Sequence, residues 1–257
     1  MKVTGFVCLF LLLCIQSVRS DQPSSQPLIF CNSHWPPYSY GDASGRAIGG
    51  YAKDFMEELS RRTMQPIDLR ILPWLRCLKM AENGDFDGIM LLTENDERKQ
   101  FLHMSRPIIF DANLLWYRMD SPHVRPRLTF ADFEGLRIGV VTGFNYGEPF
   151  NNAVALLNLT LDEAPSILSN FKRLDRGWID VFLVNRTAAD YSLHDYPLLR
   201  SRMIAMDGPF EPVGFRVGLA KAGRAAHLLA DFDEAIDAMQ KDGTIARIMS
   251  EGPFEYR

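Results

Sequence analysis

Residues 66–93 read PIDLRILPWLRCLKMAENGDFDGIMLLT. Residues 66–72 read as a strand, and Pro73 stands where the first turn of a helix tolerates a missing N–H. A helix over residues 74–82 stops at the turn pair Asn83-Gly84. Residues 87–92 read as the next strand. Strand, helix and strand in so short a stretch make one right-handed crossover unit and put both strands in a parallel sheet.

The same alternation continues on both sides. Residues 28–31 are a short apolar strand, and residues 51–62 are helical by period, with Phe55 and Leu59 four apart and Met56 beside them. Downstream, Thr129 and Asp132 fit the cap of a short helix stopped by Gly135. Residues 136–141, 179–184 and 213–220 read as strands. Residues 225–240 form an amphipathic helix, with Leu228, Leu229, Phe232, Ile236 and Met239 on one stripe and Gly243 as its stop. The chain is expected to be α/β.

The first residues read as an address. Lys2 precedes an apolar run over residues 6–15 that is too short to span a bilayer, and Val18-Arg19-Ser20 fits a cleavage site. Residues 1–20 are expected to be a signal peptide for export, and residues 21–26 a disordered Ser/Pro-rich leader. The formal charge is −4, and loss of Lys2 and Arg19 with the signal brings it to −6. Nucleic-acid phosphates demand a basic face, so mild acidity argues against such a partner. Cys8 and Cys14 leave with the signal; Cys31 and Cys77 remain in a compartment that oxidises thiols, as a disulfide or as two buried thiols.

Parallel sheets bind ligands beyond the carboxyl ends of their strands. That rule selects the segment from Asn32 to Tyr38, Pro73-Trp74 and Thr93 onward in the first unit, and Thr142 to Tyr146 and Asn185-Arg186 in the second. Aromatics, amides and hydroxyls mixed in this way suit a cleft for a small polar molecule.

At these residues the chain resembles the family-3 extracellular solute-binding proteins, which serve polar-amino-acid ABC importers. The resemblance is carried, in order, by His34-Trp35-Pro36-Pro37-Tyr38, Gly49-Gly50-Tyr51-Ala52-Lys53-Asp54, Gly84-Asp85-Phe86-Asp87-Gly88-Ile89, and Thr93 with Arg98. It continues through Ser105-Arg106-Pro107, Phe133-Glu134-Gly135-Leu136-Arg137-Ile138-Gly139-Val140, Val217-Gly218-Leu219 and Asp242-Gly243-Thr244. It implies a two-lobed, type II periplasmic-binding-protein-like fold, each lobe a mostly parallel sheet flanked by helices, with a two-strand hinge. Lobe 1 would be residues 27–111 and 210–257, and lobe 2 residues 112–209.

The resemblance also implies site residues. Trp35 matches an aromatic that packs on the ligand, and Arg98 matches an arginine that grips its carboxylate, a task suited to a planar bidentate donor. Tyr38, Trp74, Arg76, Thr93, Thr142, Phe144, Asn145 and Asn185 complete the candidate set. Several positions depart from the family pattern. Thr93 and Arg98 stand one residue further apart, Leu91 and Leu92 replace hydroxyl residues, and Gly143-Phe144-Asn145 replaces a Gly-Ser/Thr-Thr turn. The family's ammonium-binding aspartate falls on Asn185, which leaves open whether the Asn185 carbonyl accepts from the ligand, Glu148 or Glu211 supplies charge from elsewhere, or the ligand is a carboxylate, a modified amino acid or a neutral polar molecule. Pro73-Trp74-Leu75-Arg76 marks a divergent branch.

Metal spacing among the five histidines, a Cys-x-x-Cys pair, a Gly-x-Ser-x-Gly elbow, a phosphate loop and a dinucleotide fingerprint are all missing. The reading is therefore a periplasmic monomer, with no metal or cofactor, that binds a small polar ligand and delivers it to a membrane permease. One alternative is a sensing module of the same fold. Another is a cyclohexadienyl-dehydratase-like enzyme, in which Glu148 or Glu211 would act as general acid.

Overall fold

The computed structural model describes residues 26–125, 127 and 129–251. The expected signal peptide, leader residues 21–25 and the terminal stretch 252–257 lie outside the described residues. No helix among the described residues is long and apolar enough to cross a membrane.

Strand β1 (Leu28–Asn32) leads into a small hairpin, β2 (Tyr40–Gly41) and β3 (Ala47–Gly49). Then α1 (Tyr51–Thr63), β4 (Ile67–Ile71), α2 (Trp74–Asn83) and β5 (Gly88–Thr93) alternate as the opening stretch requires. Helix α3 (Asp96–Phe101) and strands β6 (Leu102–Met104) and β7 (Ile109–Asp111) end this passage. The second unit holds β8 (Asn113–Arg118), a capped 3-10 turn (Phe130–Phe133), β9 (Arg137–Val141), α4 (Glu148–Leu157) and β10 (Thr160–Ala164). It continues with α5 (Ile167–Asp175), β11 (Val181–Asn185), α6 (Arg186–Leu193), α7 (Pro197–Arg200) and β12 (Met203–Met206). Strand β13 (Val213–Ala220) returns to the first sheet, and α8 (Leu229–Lys241) and α9 (Thr244–Ser250) close the described chain.

The first sheet runs β4-β1-β5-β13-β6, with β7 also on β13; the second runs β10-β9-β11-β8-β12. Both are mixed, which amends the mostly parallel expectation. Strand β1 is parallel to β4 and β5, and β9 to β10 and β11, whereas β13 is antiparallel to β5, β6 and β7, and β8 to β11 and β12. The cause is the crossing between lobes. Strands β5 and β11 end at the cleft, while β8 and β13 enter from it, so each runs against its neighbour. The crossings lie side by side: Asp111 pairs with Val213 on one flank and Leu115 with Met206 on the other.

One apolar core runs from Phe30, Phe55 and Phe232 under the first sheet to Phe171 and Phe182 under the second; a further cluster in the second lobe centres on Phe133, Phe150 and Tyr117. On the other face of the first sheet, Cys31 and Cys77 form a disulfide with Cα atoms 5.8 Å apart, amid Ala81, Ile89 and Leu92. It joins the cleft-facing half of β1 to α2 across 46 residues of sequence, a closure worth about 4 kcal/mol in the chain-entropy model. Replacing both cysteines by alanine should lower the melting temperature by roughly 8–16 °C in a thermal melt. A shift under about 2 °C would show that the bond adds little to the fold.

Candidate functional site

The carboxyl ends of β1 and β5 face those of β9 and β11, and Ala112 and the start of β13 lie between them. They line a partly open cavity of about 70 Å³. That is room for roughly five to seven water-sized spheres, and so for a small ligand.

The turn after β1 is fixed by α1. The helix donates two N–H groups that lack intrahelical partners, from Tyr51 to the Pro37 carbonyl at 3.2 Å and from Ala52 to the Tyr38 carbonyl at 2.7 Å. Gly50, at φ +97°, lets the chains meet; a Cβ there would stand 2.6 Å from the Tyr38 oxygen. Trp35 is thereby set on the cavity wall, its ring stacked 4.1 Å from Tyr38 and in edge contact with Phe144 and tilted contact with Phe215. Its indole Nε1–H is buried with no partner. Among the described residues it has no acceptor, although the ring itself lines the cavity.

Arg98 lies in α3, whose cap Asn95 accepts from its backbone N–H at 2.8 Å. Only 5% of the residue is exposed. Its Nη1 donates to the Thr93 carbonyl at 2.7 Å and hydroxyl at 3.0 Å, and the guanidinium sits 5.2 Å from the Trp74 ring centroid. Burial pushes its pKa down to about 10, with Glu97 pulling weakly the other way, so it remains a cation at neutral pH. No carboxylate among the described residues pairs with it.

Two hydrogen-bonded contacts draw the lobes together beside this cation. Asn145 Nδ2 donates to the Thr93 hydroxyl at 3.0 Å and the Glu94 carbonyl at 3.2 Å, and Trp74 Nε1 donates to the Gly143 carbonyl at 2.8 Å. Gly143, at φ +75°, permits that approach, since a Cβ would stand 2.9 Å from the Trp74 ring. Thr93 Oγ1 accepts from both Arg98 and Asn145, which leaves its own O–H to donate.

Asn185 caps α6: its Oδ1 accepts from Ala188 N–H at 2.8 Å. That bond assigns the amide, so Nδ2, a donor, is the group left over on the cavity wall. Asp111 also lines the cavity; its Oδ2 accepts from the Tyr38 hydroxyl at 2.7 Å and its Oδ1 from Ala112 N–H at 2.8 Å. Burial raises its pKa above the usual carboxylate range, against these two hydrogen bonds. Tyr38 is pushed up as well, by burial first and then by Asp111. Among the described residues, no group of three or more His, Cys, Asp and Glu side chains is placed to hold a metal ion.

Residues 28–251 match the model of the bacterial extracellular solute-binding proteins, family 3. The chain belongs to that family. Solved structures with the same two-lobed fold share little of the sequence of this family-3 protein. One is a histidine kinase sensor domain with similarity to periplasmic binding proteins (TM-score 0.74, 16% identity, 89% of this chain and 96% of that one). Another is the arginine-, lysine-, histidine-binding protein ArtJ from Geobacillus stearothermophilus (TM-score 0.71, 17% identity, 88% and 94%). A third is the substrate binding protein of an amino acid ABC transporter (TM-score 0.68, 18% identity, 88% and 97%).

Of the expected site residues of this solute-binding protein, Trp35, Trp74, Thr93, Arg98, Phe144, Asn145 and Asn185 line the cavity. Three do not. Tyr38 is buried beneath Trp35, one layer behind the wall. Arg76 is exposed, because it follows Trp74 by two residues, about 200° around the helix from the cleft-facing position. Thr142 is exposed on the outer side of its turn, with Oγ1 3.4 Å from the Ala164 carbonyl. Glu148 and Glu211 are exposed and line no part of the cavity. Asp111, Ala112, Asn113, Val184, Val213 and Phe215 are wall residues that sequence reasoning missed. Nothing in the sequence marks Asp111, because its inward face depends on how β7 lies against β13.

An unpaired carboxylate held partly buried costs stability. Because folding raises its pKa, that cost is fully present above the folded value and fades as pH falls toward the ordinary carboxylate range. In the ligand-free protein Asp111→Asn should therefore stabilise at pH 7 by about 1 kcal/mol. The gain should shrink as pH drops to about 4. Melting curves across this range check the sign, and a destabilised variant at pH 7 would contradict it.

Proposed function

We propose that this chain captures a small carboxylate-bearing molecule between its lobes in the periplasm and hands it, as a monomer, to the permease of an ABC importer. The observation that carries the reading is Arg98, a buried guanidinium on the cavity wall with no carboxylate among the described residues paired to it. An uncompensated buried charge is expensive, and a ligand carboxylate supplies the missing partner. The Thr93 O–H and the Asn185 amide nitrogen are further donors on the same wall, suited to the remaining oxygens. The likeness to a substrate binding protein of an amino acid ABC transporter supports the transport role.

The reading is of binding without turnover and without cofactor. The dehydratase alternative needed Glu148 or Glu211 in the cleft, and neither lines it. A sensing role stays as the second reading, favoured by the likeness to a histidine kinase sensor domain. Gene deletion separates the two: loss of uptake of the identified ligand supports transport, and unchanged uptake supports sensing.

The binding test is a thermal-shift panel of amino acids, hydroxy acids, dicarboxylates, polyamines and sugars on protein stripped of carried-over ligand by unfolding and refolding. A ligand at a hundred times its dissociation constant stabilises by about 2.7 kcal/mol. For a chain of this size that is roughly 5–10 °C. Carboxylates should give the shift, Arg98→Ala should abolish it, and Arg98→Lys should weaken it by loss of the bidentate fork. A shift with sugars or polyamines alone would overturn the reading.

A further inference from the structure

We propose that the Cys31–Cys77 disulfide is a positioning device for the cleft: it holds the start of α2 where Trp74 reaches across to the second lobe. The inference concerns how the lobes are held together and does not depend on the identity of the ligand.

Helix α2 meets the first sheet along one stripe, Trp74, Cys77, Leu78 and Ala81, the spacing of a single helix face. Only Cys77 and Ala81 of the helix are buried, and both are small. Leu75 is 60% exposed, and Arg76, Lys79, Glu82 and Asn83 face water. Such a stripe removes little apolar surface from water and holds the helix weakly. The two ends are anchored differently. At the carboxyl end the Gly84 N–H donates to the Ala81 carbonyl and the Asp85 N–H to the Met80 carbonyl. Gly84 also lies so near residue 222 that a Cβ would stand 2.7 Å from the Ala222 oxygen. At the amino end Pro73 caps the helix with no side-chain hydrogen bond. The anchors there are the Leu72 N–H, which donates to the Asn32 carbonyl at 2.9 Å, and the disulfide. Trp74 sits between these two.

Trp74 acts twice at the cleft. Its Nε1 donates to the Gly143 carbonyl of the other lobe at 2.8 Å, and its ring lies 5.2 Å from the Arg98 guanidinium. A hydrogen bond is lost when the donor retreats by about 1 Å, so a slight tilt of α2 breaks the contact between the lobes. Cys77 is one turn beyond Trp74 on the same face, and Cys31 precedes the wall residue Asn32, whose Nδ2 donates to the Met90 carbonyl at 2.7 Å. The bond therefore ties the turn that carries Trp74 to the fixed end of β1. Constraint of the unfolded chain, the other effect of a disulfide, leaves the place of Trp74 in the folded protein untouched.

The test uses ligand-free protein well below its melting temperature, with the folded state verified by circular dichroism. The indole N–H resonances of the four tryptophans are assigned by Trp→Phe variants, and small-angle scattering gives the radius of gyration. In Cys31→Ala/Cys77→Ala the Trp74 resonance should leave its hydrogen-bonded position for that of a water-exposed indole. The Trp116 resonance should stay, because its Nε1 donates to the Val184 carbonyl within the second lobe. The radius of gyration should rise as it does in Trp74→Phe, which keeps the disulfide, and the triple variant should rise no further. A Trp74 resonance that stays in place, movement of both resonances together, or additive rises in radius overturns the proposal. Should the double variant fail to fold, Trp74→Phe decides alone: an unchanged radius of gyration overturns the proposal, and a rise upholds the Trp74 contact on which it rests. None of these outcomes touches the carboxylate reading of Arg98, which the thermal-shift panel tests separately.

Discussion

Water is almost wholly removed from the Arg98 guanidinium, and no acid among the described residues replaces it. Burying such a group costs several kcal/mol unless hydrogen bonds and an opposite charge compensate. The chain provides the hydrogen bonds, from the Thr93 carbonyl and hydroxyl, and the face of Trp74. It does not provide the charge. The same few atoms also hold the lobes in contact: Thr93 takes the Asn145 amide from the far lobe, and Trp74 donates to Gly143 there. Anchoring the cation and closing the cleft are thus one arrangement, and a ligand that completes the first reinforces the second.

In the proposed function, that coupling is the physical cause of lobe closure. A ligand shifts a conformational equilibrium only by its difference in affinity for the two states. Here the donors left over on the wall come from both lobes: Arg98 and Thr93 from the first sheet side, Asn185 from the end of β11. Oxygens bridging them are satisfied only with the lobes together. The aromatic contacts across the cleft, such as Trp35 on Phe144, keep water from competing for those bonds.

Much of this architecture was legible because it rests on local patterning. The strand–helix–strand reading of residues 66–93 matches β4, α2 and β5 to within a residue or two at each end, and Val213–Ala220 matches at both ends. The stretch from α4 through α5 was not read. Strand β10 carries Asp162 and Glu163 and exposes most of its residues as an edge, so its apolar signal is weak. The site was legible where position along a strand decides it, as for Trp35, Thr93 and Asn185. It failed where direction around a helix or turn decides it, as for Arg76 and Thr142. Asp111 was missed because its meaning comes from the crossing: only with β7 laid against β13 does its side chain face the cavity.

The most direct test of the central claim is a crystal structure of the protein with a ligand that stabilises it. The account predicts density between the lobes, with carboxylate oxygens in hydrogen-bond contact with the Arg98 guanidinium and within reach of the Asn185 amide nitrogen. A ligand seated outside this cavity, or turned so that an apolar end meets Arg98 while its carboxylate lies elsewhere, would contradict it.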